Sequence, residues 1–269
     1  MLILKALAFI KRDMKIELSY RFSFLMNIMG IFISVVTFYY ISKIFGGAAS
    51  PYLDAYGGDY FSFVLIGIAF SGYLSTSLHS FSSAIREGQM LGTLEAMLVT
   101  PTNIPSIMVY SSLWSFIFTT LEVFIYLSVG AAVFGMDISR ANIPAALVIM
   151  VLTVLSFVPF GIVSAGFIMV FKKGDPIAFF FGTVSTLLGG VYFPITVLPP
   201  ILQNLSLVFP ITYSLNAMRH ALLNGYSITE LSADLLGLAV FSAVMLPVSI
   251  VFFGYAVKKA KQKGTLGQY

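Results

Sequence analysis

FSFLMNIMGIFISVVTFYYISKIF, residues 22–45, decides the fold class: Lys43 is its one charged residue, and it lies close to the far end. At 1.5 Å of rise per residue, a helix of that length exceeds a hydrocarbon core of about 30 Å. Outward from it, comparable apolar runs recur over Tyr60–Ser83, Ser106–Phe134, Ile143–Phe171, Ile177–Tyr192 and Leu235–Val257. A chain in lipid must satisfy its own backbone polar groups, so each run is expected to be a helix. The expected fold is an all-α membrane protein with six transmembrane helices.

The basic residues orient it. If every run crosses, Lys5, Lys11, Arg12, Lys15, Arg21, Arg86, Lys172, Lys173, Lys258, Lys259, Lys261 and Lys263 share one side. Only Lys43, Arg140 and Arg219 fall on the other, which accounts for all 15 Lys and Arg residues. Basic residues collect on the cytoplasmic side, so both termini are expected inside.

Composition narrows the function classes. Charged residues make up 10% of the chain, against about a quarter in soluble domains. The net charge of +4 serves orientation, which leaves no argument for nucleic acid. Absence of cysteine removes disulfides, thiolate catalysis and cysteine metal sites. The first run is too long for a signal-peptide core and no small-residue cleavage pattern follows it, so it reads as a retained helix. Residues 1–269 read as one transmembrane domain, with no separate soluble unit.

Residues 1–21 are amphipathic. Ile3, Leu7, Ile10, Met14 and Leu18 share a helical stripe, and Lys5, Arg12 and Lys15 lie off it. Such a helix can lie in the cytoplasmic headgroup layer with membrane lipid as its partner; the alternative is a charge signal for topology alone.

Between the second and third runs, residues 86–104 form a distinct stretch. Residues 86–101 read Arg86-Glu87-Gly88-Gln89-Met90-Leu91-Gly92-Thr93-Leu94-Glu95-Ala96-Met97-Leu98-Val99-Thr100-Pro101. Leu91, Leu94, Glu95 and Leu98 share one face of a short helix that Pro101 limits. A cytoplasmic helix with one apolar face and an acid suits a groove on another protein; an ordinary membrane-surface loop is the alternative.

A second unusual stretch precedes the last run, on the outer side. It carries Gly190, Phe193-Pro194, Leu198-Pro199, Pro210, Thr212-Tyr213 and Arg219. It is too apolar for a solvated loop and too broken by proline for one spanning helix. Two short helices that dip in from outside and return, over residues 193–218, fit it best, provided protein or a water-filled cavity covers their polar groups. A surface loop is the other reading.

Several isolated residues add detail. Glu122 is an acid well inside a span, with Tyr126 one turn later. Charge there is costly, so it either faces cargo and pathway or joins helices at a dimer seam. Asp175-Pro176 is a helix start, with Asp175 as cap. Gly67 with Ser71, and Gly161 with Ala165, permit close helix approach, with ordinary packing the simpler reading. Tyr52, Tyr56, Tyr60 and Phe61 read as an interfacial aromatic belt. His79 and His220 fall on opposite membrane sides and receive no metal or catalytic role.

With both unusual stretches quoted, the chain resembles a permease subunit of the ABC-2 type, the membrane half of an ATP-binding-cassette exporter. Arg86-Glu87, Gly92-Thr93-Leu94-Glu95, Leu98 and Thr100-Pro101 are similar to the family's cytoplasmic pattern. Gly190, Phe193-Pro194, Leu198-Pro199, Pro210, Tyr213 and Arg219 are similar to its outer signature. The intervening Gly88-Gln89-Met90-Leu91 departs from many members and loosens the register of Arg86 and Glu87. The resemblance implies that 86–104 is a coupling helix gripped by an ATPase and that the re-entrant segment lines the translocation pathway. It implies a homodimer with two separately encoded ABC ATPase subunits, in a prokaryotic plasma membrane. It also implies export of a small amphipathic, drug-like or lipid-like cargo.

The sequence has no Gly-x-x-x-x-Gly-Lys-[Ser/Thr] loop and no Gly-Lys pair at all, so this chain is expected to bind no cofactor, with ATP and Mg held by the partner. Rival readings are an exporter of polysaccharide or teichoic-acid type glycans, a membrane-embedded enzyme, and a passive channel. An enzyme needs converging acid, base or metal ligands, and no His-Glu-x-x-His motif is present.

Overall fold

The computed structural model describes residues 2–90, 104–171 and 175–262. Among these residues the helices are α1 (Leu2–Ser19), α2 (Arg21–Ala49), α3 (Tyr60–Met90), α4 (Ile104–Phe134), α5 (Ile143–Phe171), α6 (Pro176–Leu188), α7 (Pro200–Ser206), α8 (Pro210–Arg219) and α9 (Ser232–Gln262), and there are no strands. The coupling stretch Leu91–Pro101 and Lys172, Lys173 and Lys263 lie outside the described residues.

α2, α3, α4, α5 and α9 are each long and apolar enough to span a bilayer. α6 differs from the sequence expectation: it has 13 residues, about 20 Å of rise. The run was expected to continue to Tyr192, but the helix stops at Leu188. Gly189 follows as its cap, and Gly190 takes φ of 80°, a left-handed conformation that glycine adopts without a side-chain penalty. At its other end Asp175 accepts from the Ala178 N–H (2.9 Å) with Pro176 in the first turn, as the sequence suggested. The Asp175 carboxylate also takes the Ser164 hydroxyl. Ser164 sits about two turns before α5 ends, so α6 begins about 10 Å above that end.

α3 is the central helix. Of its most apolar stretch 72% is buried, against 11% for α2. The outward faces of α4 and α9 carry exposed apolar side chains such as Phe124 and Val251, which suits contact with lipid. Lipid tails are as apolar as leucine, so packing and interhelical hydrogen bonds hold such a bundle together. Tyr73 donates to Thr120 (2.9 Å), and the Thr76 and Thr119 hydroxyls pair at 2.6 Å, joining α3 to α4. Gly161 brings α5 against α3 so closely that a Cβ there would lie 2.0 Å from the Ser77 carbonyl oxygen. α5 and α9 run parallel and in register: Ser156 pairs with Ser242 at 2.9 Å, and Gly166 rests on Phe252 and Ala256.

The prolines that were expected to break helices in this stretch instead open them: Pro200 and Pro210 sit in the first turn, where a missing N–H costs nothing. α7 lies at the periphery with Ile201 82% exposed, whereas α8 is buried along nearly its whole length. α8 runs antiparallel to α5. The Asn142 N–H donates to the Ala221 carbonyl at 2.9 Å, and deeper down Thr153 and Ser214 pair at 2.6 Å. α1 rests on α4, with the Phe9 ring 5.7 Å from Tyr110, and leaves Leu7 and Leu18 exposed.

Candidate functional site

A groove of about 630 Å³ runs between α3 and α6. α3 contributes Ser71, Leu74, Ser75, Leu78 and His79, the spacing of one helical face. α6 contributes Ala178, Phe179, Gly182, Thr183, Thr186 and Leu187, with Asp175 at one end and Tyr192 at the other. The Tyr192 ring stacks on Phe38 of α2 at 6.0 Å. Two of the lining hydroxyls spend their proton within their own helix: Ser71 donates to the Ile68 carbonyl (2.8 Å) and Thr186 to the Gly182 carbonyl (2.7 Å). A serine or threonine hydroxyl has one donor and two lone pairs, so these two present acceptors to the groove. Among the described residues no three His, Cys, Asp or Glu side chains gather as a metal site.

At the start of α3 lies a second constellation, built on Arg219 at the end of α8. Its Nε donates to the Phe63 carbonyl (3.1 Å) and its Nη2 to the Val191 carbonyl (3.2 Å). The guanidinium carbon stands 3.4 Å from the centroid of the Phe63 ring and 5.8 Å from that of Tyr56. Only 2% of Arg219 is exposed, and this burial pulls its pKa down to about 9, still high enough to stay charged at neutral pH. One cation therefore ties α8 to the start of α3 and to the turn after α6. The tie needs Gly67, where a Cβ would lie 2.2 Å from the Val191 oxygen and 2.7 Å from Nη2 of Arg219.

Around this cation a polar chain extends to α9. Tyr56 donates to Oδ1 of Asn216 (2.7 Å), whose amide donates to Asp234 (2.8 Å). Burial raises the Tyr56 pKa, against the lowering pull of Arg219. The His220 ring lies 5.0 Å from Tyr56 and stacks on Tyr226 at 4.7 Å. Burial lowers the His220 pKa, and the neighbouring Arg219 charge lowers it further. Asn224 closes the cluster by donating to the Ala55 carbonyl (2.8 Å).

The structure brings some of the sequence-singled residues together and separates others. Gly190 and Arg219 meet at the second constellation, with Phe193 on the same turn. Pro194 and Pro210 are buried, Leu198 is partly buried and Pro199 is exposed. Tyr213 donates to the Leu207 carbonyl (3.0 Å) and packs on Gly237. Glu122 and Tyr126 do not line the groove; they face α1 and α2, where Tyr126 hydrogen-bonds Ser34 and Glu122 feels the charge of Glu17. Arg86 and Glu87 lie in the last turns of α3, half-buried and exposed respectively.

In the sequence Ser71 stood out only as a packing residue, His79 received no role and Tyr56 read as part of an aromatic belt, while Ser75, Thr183 and Thr186 drew no reading. Ser71 and Ser75 stand four apart, and Thr183 and Thr186 three apart, the one signal that could have marked a polar helix face.

A profile of the family described as ABC-2 type transporter matches residues 6–223. Comparison with curated proteins returns no match.

Proposed function

The chain belongs to the ABC-2 type transporter family, and from that premise we propose that it is the permease half of an ABC exporter, moving a small amphipathic, drug-like or lipid-like cargo. The groove between α3 and α6 is the observation that carries the pathway. It is partly polar, bounded by the most buried span, and ends at Tyr192, the neighbour of the Val191 that Arg219 holds. α6 completes a sixth crossing by way of the turn at Gly189 and Gly190. α7 and α8 form the re-entrant pair, with α8 rising antiparallel beside α5. The orientation is both termini inside a prokaryotic plasma membrane, as the basic residues favour.

Family membership implies an ABC ATPase partner, and this chain carries no phosphate-binding loop of its own. Two copies of the chain on two ATPase subunits make a closed two-fold assembly. Residues 86–104 are the coupling helix, in which the ATPase pushes on Leu91, Leu94 and Leu98. Glu87 and Glu95 meet basic groups of the ATPase or Arg86. ATP-driven closure pushes this helix, and the first two spans, α2 and α3, carry the displacement to the groove.

Reconstitution with the cognate ATPase tests this. Glu95→Ala is expected to leave the complex assembled and ATP hydrolysis intact while cargo export is lost. Export at the wild-type rate by this variant, or transport by the chain without any ATPase, rejects the mechanism.

A further inference from the structure

We propose that the groove selects an amphiphile whose head donates hydrogen bonds and carries no negative charge, a primary alkylammonium being its simplest form. The inference rests on the reading of the groove as the cargo pathway. Among the described residues lining the groove there is no lysine or arginine, and Asp175 is their one carboxylate. A helix start is the usual backbone site for an anion. Here the start of α6 is already covered, because Asp175 occupies the Ala178 N–H and places its own negative charge there. The protons of Ser71 and Thr186 are spent on the Ile68 and Gly182 carbonyls, so what these two hydroxyls have left to offer is acceptor lone pairs. An ammonium brings three donors and no acceptor, which suits these two oxygens and the Asp175 carboxylate; Ser75, Thr183 and His79 can accept as well. A phosphate brings acceptors only and meets no lysine or arginine among the described lining residues. Leu74, Leu78, Phe179 and Leu187 supply the apolar wall for an alkyl tail.

The experiment uses the purified full-length chain in nanodiscs of neutral phosphatidylcholine, titrated with dodecylamine and with dodecyl phosphate, with empty nanodiscs correcting for partition. Dodecylamine is expected to bind at least about tenfold more tightly, the weight of one hydrogen bond to a charged group. Thr186→Val, which keeps volume and removes the acceptor, should narrow that gap with the melting temperature unchanged. Thr183→Arg should reverse the preference. Equal or tighter binding of dodecyl phosphate by the wild type overturns the proposal, as does a preference that Thr186→Val and Thr183→Arg both leave intact. Gly182→Leu separates this from the pathway reading, since a Cβ at 182 meets only Leu78, at 3.5 Å, and the added side chain fills the groove. If Gly182→Leu blocks ATP-driven export although the wild type shows no head-group preference, the pathway stands and the selectivity falls. If Gly182→Leu leaves both export and amine binding unchanged, the groove itself is the wrong site.

Discussion

The guanidinium of Arg219 lies flat on the Phe63 ring, 3.4 Å from its centroid, while its Nε donates to the carbonyl of that same residue. One side chain thus grips another residue by both ring and backbone, and its remaining arm holds Val191. A fork with fixed geometry can do this and a flexible ammonium cannot. Arg219→Lys is therefore expected to destabilise the purified protein by at least about 2 kcal/mol, given that a hydrogen bond to a charged group is worth about 1.5–3 kcal/mol. Thermal unfolding in detergent measures it. Full stability with lysine would show that the charge alone matters.

Gly67 and Gly72 make a matched pair on α3. A methyl at 67 would collide with the Val191 backbone and Arg219, whereas at 72 its nearest neighbour is Thr119 at 3.5 Å. Gly67→Ala should cost about 1–3 kcal/mol or more, the range for overpacking. Gly72→Ala should be neutral or stabilising, since alanine favours helix by about 1 kcal/mol over glycine. Parallel melting curves decide the point; equal behaviour of the two variants would refute the contact.

His220 predicts a pH dependence for the Arg219 cluster. Its folded pKa is lowered from 6.5 by burial and by Arg219. As pH falls through 6.5, the unfolded chain takes up a proton that the folded cluster resists, so native stability drops. Above 6.5 the contribution is fully present. The melting temperature of the wild type should fall from pH 7.5 to 5.5 more steeply than that of His220→Phe, which keeps a ring against Tyr226 but cannot titrate. Identical slopes would remove His220 from the account.

Ser156 and Ser242 test the seam between α5 and α9. A double-mutant cycle to alanine should return a coupling near 0.6 kcal/mol, the average for interhelical hydrogen bonds in membranes. Strict additivity in unfolding measurements would mean that the 2.9 Å contact contributes nothing.

Where helices begin and end was written plainly in some places and hidden in others. The run Ile143–Phe171 and the helix α5 have the same bounds, and the third run differs from α4 only at its start. Long apolar segments leave the backbone no alternative in lipid. The last residues of the fifth run were misread because hydropathy continues past Gly189 and Gly190 while the backbone turns. The groove was not legible either: it forms where Ser71 and Ser75 face Thr183 and Thr186, about a hundred residues away. Tyr56 hydrogen-bonds Asn216 across a separation of 160 residues, and no local periodicity encodes such a pair. Arg219 did stand out, as a charge in an apolar setting, but its carbonyl partners are backbone groups that any sequence would supply.

α8 is bonded to α5 through Ser214 and Thr153, and to α9 through Asn216 and Asp234. With α5 and α9 held side by side at Ser156–Ser242 and again at Gly166, the three behave as a welded frame. Twisting one member against another would break several bonds at once, so conformational work has to be absorbed elsewhere. Among the described residues the seam between α3 and α6, with the groove along it, has no such side-chain hydrogen bond, so it can change shape without breaking one.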